Sequence, residues 1–377
     1  MDFKHLLLAV ALIANASSTN VGWQSYLQEN PTEFHDLPLT FENGNATQVP
    51  SWLSGVFVRN GPGQRTFGSE HKHLSSYLDG FAKLHTFKLD GSKVYYSGKM
   101  LGSSTYLDSV EKGELVPQII LNPMVNPDDE WSLWEMEEIM ERMFNFWYGD
   151  GKHTAYDNNN PAVWRIGSKE HPVFIATTDY PAPQIFDINT LETGELLRPA
   201  NPQSTMTGIA HWMREPGTDN SITAQYKDGG LLGSDYVEVQ RFTPDNIGKS
   251  FFSKPSISNT ILRIFLLDYS KPEVIGKFYP HKMSMIHSFS ITENYVIFLY
   301  SPVVAQSTTC LMANHFHVTD CIEVLEEQTD IFVMNLKTGE VEEMQADVVF
   351  SLHHVNAYEK GDEIIIDLSP SAEFALR

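Results

Sequence analysis

Short strand-like segments separated by turn residues recur along most of the chain, and they restrict its fold more than any other feature. Segments such as Leu84–Leu89, Val173–Thr177, Tyr295–Leu299 and Glu363–Asp367 are apolar or alternate between apolar and polar residues, as β-strands do. Turns such as Leu89–Lys93 (LDGSK) follow them. No Gly/Ser-rich or Pro-rich linker divides the chain, so the sequence predicts one all-β unit. Strand–turn–strand units of this kind are frequent in the blades of β-propellers.

One segment departs from the β pattern. Between Trp131 and Trp147, apolar residues recur at spacings of three and four, which predicts an amphipathic helix. The predicted apolar face comprises Trp131, Trp134, Met136, Ile139, Met140, Met143, Phe144 and Trp147. The other face comprises Glu135, Glu137, Glu138, Glu141 and Arg142. Two interpretations stand: the helix packs on a sheet, or its aromatic face contacts a membrane or guards an apolar site. The acidic face argues against strong attraction to anionic lipid.

The charge of the chain excludes one class of partner. Its formal net charge is −22, and such a surface repels phosphate backbones. We therefore expect no binding to nucleic acid.

The N-terminus has the pattern of a secretory signal. Leu6–Ala14 is an uninterrupted apolar run after a short polar start, and it is too short to span a bilayer. Small residues at Ala14-Asn15-Ala16 are typical of a signal-peptidase site. We therefore expect a signal peptide at residues 1–16, a mature domain at 17–377, and a protein that is secreted or resides in the lumen of the endoplasmic reticulum. The alternative is an N-terminal core helix.

An oxidising compartment bears on two further features. Cys310 and Cys321 are the two cysteines, and in a secreted chain they are expected to form one disulfide. His315 and His317 lie between them, so two free thiols or a zinc site are the alternatives, although the spacing matches no common zinc module. Asn45 begins an Asn-Ala-Thr tripeptide and is a candidate for glycosylation.

Three of the 14 histidines share a local setting. His211, His287 and His353 are each flanked by apolar or small residues beside a strand-like run. Consecutive members lie one to two propeller blades apart, since a blade takes about 40–50 residues. Because the inner strands of blades converge on a central axis, imidazoles from different blades could meet there.

Four segments, in order, resemble the signature motifs of one family. They are Val58–Gly63 (VRNGPG), Leu78–His85 (LDGFAKLH), His287–Phe298 (HSFSITENYVIF) and His353–Glu359 (HHVNAYE). The chain thereby resembles the carotenoid cleavage oxygenases, and in particular their animal branch, which includes carotene oxygenases and the retinoid isomerase of the visual cycle. The match extends over most of the sequence.

The resemblance implies a seven-bladed β-propeller capped by loops and helices, with one histidine from each of four blades binding Fe(II) on the axis. By motif, His211, His287 and His353 are the first three ligands, and His354 is a neighbour of the third. A family glutamate that orients a ligand corresponds here to Asp179. The aspartate side chain is shorter, so it must lie closer to its histidine or act through a water molecule.

The family pattern also continues beyond this sequence. A fourth histidine and two further glutamates are expected past Arg377, so the chain is expected to form an incomplete propeller without its C-terminal blades. The resemblance implies an Fe(II)-dependent dioxygenase that uses O2 to cleave a conjugated double bond of a carotenoid or apocarotenoid, an apolar polyene, into carbonyl products. One alternative is a retinoid isomerase or isomerohydrolase on the same scaffold. The other is a secreted, non-catalytic carotenoid- or lipid-binding protein with an incomplete iron site.

Overall fold

The structure is a computed structural model. It describes residues 29–371 except for 40–48, 51, 69–71, 92, 125–126, 150–152, 156, 200–204, 230–232, 247–271, 283, 306–307 and 326. The predicted signal peptide at residues 1–16 and the predicted glycosylation site at Asn45 lie outside the described residues. Among the described helices, none combines the length and the hydropathy needed to cross a membrane.

The described strands form six antiparallel sheets, and the first two are four-stranded. The first sheet has the order β1-β4-β3-β2 and the second the order β5-β6-β7-β8. The strands of the first sheet are β1 (Phe34–Leu39), β2 (Gly55–Gln64), β3 (Phe81–Asp90) and β4 (Lys93–Met100). Those of the second are β5 (Ala162–Gly167), β6 (Pro172–Thr177), β7 (Gln184–Phe186) and β8 (Thr193–Leu196). Each sheet is therefore built from strands that are close together in the sequence.

The third and fourth sheets repeat this arrangement. The third comprises β9 (Thr205–Thr207), β10 (Met213–Arg214), β11 (Ser221–Lys227), β12 (Tyr236–Phe242) and β13 (Glu273–Phe278). Its order is β10-β11-β12-β13, and β9 also pairs with β11. The fourth has the order β14-β15-β18-β19. Its strands are β14 (Ser290–Ile291), β15 (Tyr295–Tyr300), β18 (Thr329–Asn335) and β19 (Val341–Ala346).

Two small sheets complete the description. One joins β16 (Val303–Ala305) to β17 (Ile322–Val324), and the other is a hairpin of β20 (Phe350–Lys360) and β21 (Glu363–Ser371). The hairpin turns at Gly361, whose φ of 63° lies in the left-handed region that glycine adopts without strain. The molecule is thus mostly β with few helices, and the all-β prediction is confirmed at this level. The strand-like segments named above all lie within observed strands.

Apolar cores lie between successive sheets. Leu84 of the first sheet packs in one cluster with Ala176 of the second, and Ile175 of the second shares another with Phe242 of the third. A larger cluster joins the third and fourth sheets. Full burial of one large apolar side chain contributes about 1.5–3 kcal/mol, so these cores hold each sheet against the next.

A separate core surrounds the helices α1 (Ser104–Lys112) and α2 (Leu133–Tyr148). The prediction of a helix between Trp131 and Trp147 is confirmed, and the helix begins two residues later than Trp131 because Ser132 caps it. The Ser132 hydroxyl accepts from the backbone N–H of Glu135, whose carboxylate accepts in turn from the N–H of Ser132. This reciprocal pair is a capping box, which satisfies two backbone donors at the start of the helix.

The two faces of α2 differ from the predicted ones. The spacing places Trp134 and Phe144 on the apolar face, but they are 81% and 50% exposed, so this part of the face is not covered by a sheet. Arg142 was assigned to the solvated face, but it is buried, and its guanidinium donates to Asp108 of α1 at 2.6 Å and to Glu138 at 3.1 Å. The reason is that α1 covers this side of α2 and supplies a carboxylate. A buried charge is tolerated when it has such partners.

Cys310 and Cys321 form a disulfide with a Cα–Cα distance of 5.8 Å. It connects a third helix, α3 (Thr308–Ala313), to a 3₁₀ turn at Thr319–Cys321. The two histidines inside this loop have other partners. His315 Nδ1 lies 2.8 Å from the carbonyl oxygen of Trp131, and His317 Nε2 lies 2.5 Å from Glu130. The loop is therefore attached to the start of α2.

Candidate metal centre

His211, His287 and His353 meet at one point although they lie far apart in the sequence and next to or within three different sheets. His211 lies between β9 and β10, His287 precedes β14, and His353 lies in β20. Their ring centroids are separated by 4.8 Å for His211 and His287 and by 5.0 Å for each of the other two pairs. The nitrogens that each could offer to a metal all lie within 4.8 Å of one another.

The closest pair of nitrogens has a separation suited to two ligands of one ion. His211 Nε2 and His287 Nε2 are 3.1 Å apart. Metal–nitrogen bonds of about 2.1 Å that meet at a right angle place the two nitrogens about 3.0 Å apart. An N–H···N hydrogen bond would also fit this distance, but it would not require a third ring. The convergence of three imidazoles therefore favours a metal site.

The loop that carries His211 is held by the second sheet. The carbonyl oxygen of Ala210 accepts from the Thr177 hydroxyl at 2.6 Å and from the Trp164 indole N–H at 3.3 Å. At Gly208 a Cβ would come within 2.7 Å of the Tyr180 carbonyl oxygen, so a larger residue would push the loop away. The sequence around His211 thus sets the position of its backbone.

Asp179 connects the loops of two of the histidines. It follows β6, and its Oδ2 lies 2.8 Å from His287 Nδ1, while its Oδ1 accepts from the N–H of Ala210 at 3.2 Å. The contact with His287 is direct, with the carboxylate close to its histidine. A carboxylate on Nδ1 fixes the ring orientation and directs Nε2 toward the cluster.

The electrostatics of the three rings differ. Burial, together with the neighbouring rings of His287 and His353, lowers the pKa of His211 to about 4. Burial and the ring of His287 also lower the pKa of His353. Burial alone would lower the pKa of His287, but the Asp179 carboxylate outweighs it and the pKa is raised. Two rings are thus kept in the neutral form that binds metals, and the third is polarised by a carboxylate.

His354, next to the third histidine, does not join the cluster. Its Nδ1 lies 2.7 Å from the Ser290 hydroxyl, and burial lowers its pKa to about 4. Its ring therefore has a partner on the neighbouring sheet.

The other motif residues have positions that sequence reasoning did not anticipate. The Asn60 side chain donates to the carbonyl oxygens of Asn159 at 2.5 Å and Ala162 at 3.3 Å, which connects the first sheet to the second. His85 pairs with the Tyr96 hydroxyl at 2.8 Å. Both therefore have structural partners away from the three histidines.

Two of the motifs also contact each other. Glu359 accepts from the Thr292 hydroxyl at 2.6 Å, and its other oxygen accepts from the Asn294 side chain at 2.9 Å. These hydrogen bonds join the hairpin of β20 and β21 to the fourth sheet. Ser288, which follows the second histidine, contributes to the same junction. The order of the motifs in the sequence gave no signal of this contact.

The fold and the site together define a class: a mostly β protein with a candidate metal centre formed by three histidines from separate segments of the chain, one of which is oriented by a carboxylate. The chain belongs to the family described as retinal pigment epithelial membrane protein, the carotenoid oxygenases, whose sequence profile matches residues 27–376.

The relatives carry names from the same family. The chain is 27% identical over 328 residues to the β,β-carotene 15,15'-dioxygenase of Mus musculus, which covers 85% of this chain and 53% of the mouse protein. It is 26% identical over 327 residues to the mitochondrial carotenoid-cleaving dioxygenase of Macaca fascicularis, again covering 85% of this chain and 53% of that protein. The chain therefore spans about half the length of these curated relatives.

Solved structures share the fold. A variant of the Synechocystis apocarotenoid oxygenase superposes with a TM-score of 0.66 at 19% identity, covering 92% of this chain and 63% of that one. The cobalt-substituted Synechocystis enzyme gives a TM-score of 0.63 at 18% identity, covering 90% and 62%. At this level of identity the likeness concerns the fold.

Proposed function

We propose that the protein to which this chain belongs is an iron(II)-dependent dioxygenase that cleaves a conjugated double bond of a carotenoid or apocarotenoid. The observation that carries the proposal is the convergence of His211, His287 and His353 from three separate segments of the chain. The names of the relatives, which are carotene and carotenoid-cleaving dioxygenases, support the substrate class. In such a reaction the double bond and O2 give two carbonyl groups, with one oxygen atom in each.

The three imidazoles would hold the iron, and their chemistry fits it. Neutral histidines are good ligands for Fe(II) and leave the site cationic, with positions open to further ligands. When bound, iron would supply the redox chemistry that O2 requires. Asp179 would keep the His287 ring in the orientation that presents Nε2. The fit thus rests on the donor set and on the carboxylate behind it.

We further propose that the complete fold is a seven-bladed β-propeller, of which this chain forms a part. Successive antiparallel sheets that pack on one another through apolar cores support this proposal. So does the position of the candidate site residues, since Asp179, His211 and His287 lie next to strands of the second, third and fourth sheets in turn, and His353 lies in the hairpin.

Access to an apolar polyene and cellular location are part of the same proposal. Leu107 of α1 and Leu133, Trp134 and Tyr148 of α2 are exposed, and we propose that they make peripheral contact with a membrane from which the substrate is taken. Apolar burial would drive this contact, because acidic residues share the surface. The apolar N-terminal run and the disulfide support a secreted or lumenal location.

Iron content and product analysis test the proposal. Purified protein loaded anaerobically with Fe(II) is expected to retain about one iron per chain, and with a carotene and O2 to give two carbonyl products by chromatography. His287→Ala is expected to lose both properties. His281→Ala is the matched control, since that side chain is 80% exposed and lies 3.9 Å from its nearest acidic partner, Glu343.

Several outcomes would contradict the proposal. They are a wild-type protein without iron, unchanged iron retention in His287→Ala, and conversion of a retinyl ester in place of carotene cleavage. The last result would instead support an isomerohydrolase.

A further inference from the structure

We propose that Ser288 is a positioning residue for the candidate metal centre, because its hydroxyl holds the backbone on both sides of His353. The inference rests on the proposed metal-binding function. It concerns how the third histidine is brought to the other two, and it assigns a role to a residue that is not a ligand.

The strand that carries His353 is irregular at this point. In the hairpin, Ser351 pairs with Pro370 and His354 pairs with Leu368, so two residues of β20 lie against one of β21. Such a bulge leaves ladder positions unpaired and redirects a side chain, and bulges are frequent beside active sites. The pairing of β20 with β21 therefore does not fix the direction of His353.

Two hydroxyls compensate for the missing ladder bonds: that of Ser351, within the hairpin, donates to the carbonyl oxygen of His353 at 2.8 Å, and that of Ser288 acts from outside the hairpin. Ser288 Oγ donates to the carbonyl oxygen of Leu352 at 2.7 Å and accepts from the N–H of His354 at 3.0 Å. These two groups belong to the two peptide units that flank the Cα of His353. A serine hydroxyl has one donor and can accept twice, so this arrangement uses its donor fully.

Packing contributes little to the position of His353. The His353 side chain is exposed, as is that of Val355 two residues further on. Ser288 in contrast is only 5% exposed, and its side chain is held within the junction between the fourth sheet and the hairpin. A buried hydrogen bond of known geometry is thus a stronger restraint on His353 than contact with apolar neighbours.

The position of Ser288 in the sequence strengthens the restraint on His353. It directly follows His287, so the backbone that carries the second histidine also carries the hydroxyl that holds the third. Ser288 is covalently joined to His287 and hydrogen-bonded to the backbone around His353, so it restrains the movement of one imidazole relative to the other. We infer that Ser288 sets the separation between His287 and His353 before a metal binds.

Cobalt(II) titration of the metal-free protein tests the inference, with visible absorption as the readout. Ser288→Ala is expected to weaken Co(II) binding about 10–100-fold, the range found when residues that support a ligand are removed. The absorption spectrum of its Co(II) complex is expected to approach that of His353→Ala, which lacks the third ligand. Ser288→Thr retains the hydroxyl and is expected to recover most of the affinity.

Ser290→Ala is the matched control. Ser290 is a buried serine on the same segment, but its hydroxyl contacts the His354 ring and no backbone group beside His353. Its removal is expected to leave Co(II) affinity unchanged. Equal losses in Ser288→Ala and Ser290→Ala would mean that any buried hydrogen bond at the junction matters equally, and would overturn the inference.

A double-mutant cycle separates positioning from a general loss of structure. In a His353→Ala background, Ser288→Ala is expected to cause no further loss of Co(II) affinity, since its effect passes through His353. A loss as large as that in the wild-type background would overturn the inference. A wild-type protein that binds neither Co(II) nor Fe(II) would contradict the proposed function itself. Normal Co(II) binding by both the wild type and Ser288→Ala would contradict only the role of Ser288.

Discussion

Asp179 is the residue whose charge the candidate centre depends on most directly. Asp179→Asn keeps the shape but removes the carboxylate that outweighs burial at His287, so the pKa of His287 is expected to fall. Metal affinity is expected to fall about 10–100-fold, because His287 loses the partner that orients it. NMR titration of the metal-free protein measures the first effect and Co(II) titration the second.

The control for this change is Asp187→Asn. Asp187 accepts backbone hydrogen bonds from Asn189 and Thr190 in a turn of the same sheet, and it contacts none of the three histidines. Asp187→Asn is expected to leave the pKa of His287 and the Co(II) affinity unchanged. An unaltered Co(II) affinity in Asp179→Asn would show that the carboxylate has no part in positioning His287.

A second aspartate makes the stability of the fold depend on pH. Burial raises the pKa of Asp79 from 3.8 to about 7, although the N–H groups of Leu121 and Asn122 donate to it. The folded protein thus binds a proton that the unfolded chain has lost, so the contribution of Asp79 to stability is full below pH 4 and is lost as the pH rises through 7. The difference amounts to about 4 kcal/mol.

Urea unfolding at a series of pH values measures this effect. Asp79→Asn is expected to flatten the decline in the free energy of unfolding between pH 4 and 7, since the group no longer titrates. Asp187→Asn, in an exposed turn, is expected to keep the wild-type slope. A wild-type slope in Asp79→Asn would assign the pH dependence to other groups.

At the residue scale, the sequence indicated the ligands and only one of the residues that support them. His211, His287, His353 and Asp179 could be proposed because the segments around them resemble family motifs. Ser288 could not, since its role depends on a bulge and on a contact with a distant strand. Hydrogen bonds between residues far apart in the sequence leave no local pattern.

Among the elements, the hairpin of β20 and β21 depends on few side chains for its attachment. Glu359→Ala removes the acceptor of the Thr292 and Asn294 hydrogen bonds and is expected to cost about 1 kcal/mol for each net bond lost. Hydrogen exchange measured by mass spectrometry is expected to accelerate in Phe350–Lys360 and to stay unchanged in the first sheet.

Glu363→Ala is the control for the hairpin. It removes a glutamate at the start of β21 that is exposed and lies next to the turn at Gly361. Exchange in β20 is expected to remain at the wild-type rate. Protection of β20 that survives in Glu359→Ala would mean that other contacts hold the hairpin.

The strands and α2 were predictable from periodicity, since an alternation of two and a spacing of three to four are local signals. The faces of α2 were only partly predictable. Ile139 and Met143 are buried as expected, whereas Arg142 is buried because Asp108 of another helix neutralises it. The spacing of residues in one helix does not indicate which of its sides a second helix covers.

For the whole molecule, metal binding is expected to raise stability strongly. The three histidines come from three separate segments of the chain, so a bound ion would add a further connection between units that already meet through apolar cores and hydrogen bonds. Free metal at 100 times its dissociation constant is expected to stabilise the folded state by about 2.7 kcal/mol. Thermal unfolding with Co(II) and with a chelator measures the difference. An unfolding temperature that is the same in both conditions would contradict the prediction.

His287→Ala provides the comparison for this measurement. With one ligand removed, the shift of the unfolding temperature on addition of Co(II) is expected to disappear. His281→Ala, at an exposed position, is expected to keep the shift. Stabilisation that persists in His287→Ala would locate the metal elsewhere.

The overall architecture was predictable as all-β from local patterns, and its family from four motifs. The way in which successive sheets pack on one another was not, because it depends on which apolar residues of distant strands meet. Phe242 and Ile175, for example, share a core although nothing in their local sequence pairs them.

The contact between the segments His287–Phe298 and His353–Glu359 has a consequence for how the sequence can change over generations. Serine, threonine and asparagine of the first bind backbone and carboxylate groups of the second. A substitution in one segment therefore alters which residues are tolerated in the other. We expect the two to vary together among homologous chains, and recombinants whose crossover falls between them to lose function unless both segments come from the same parent.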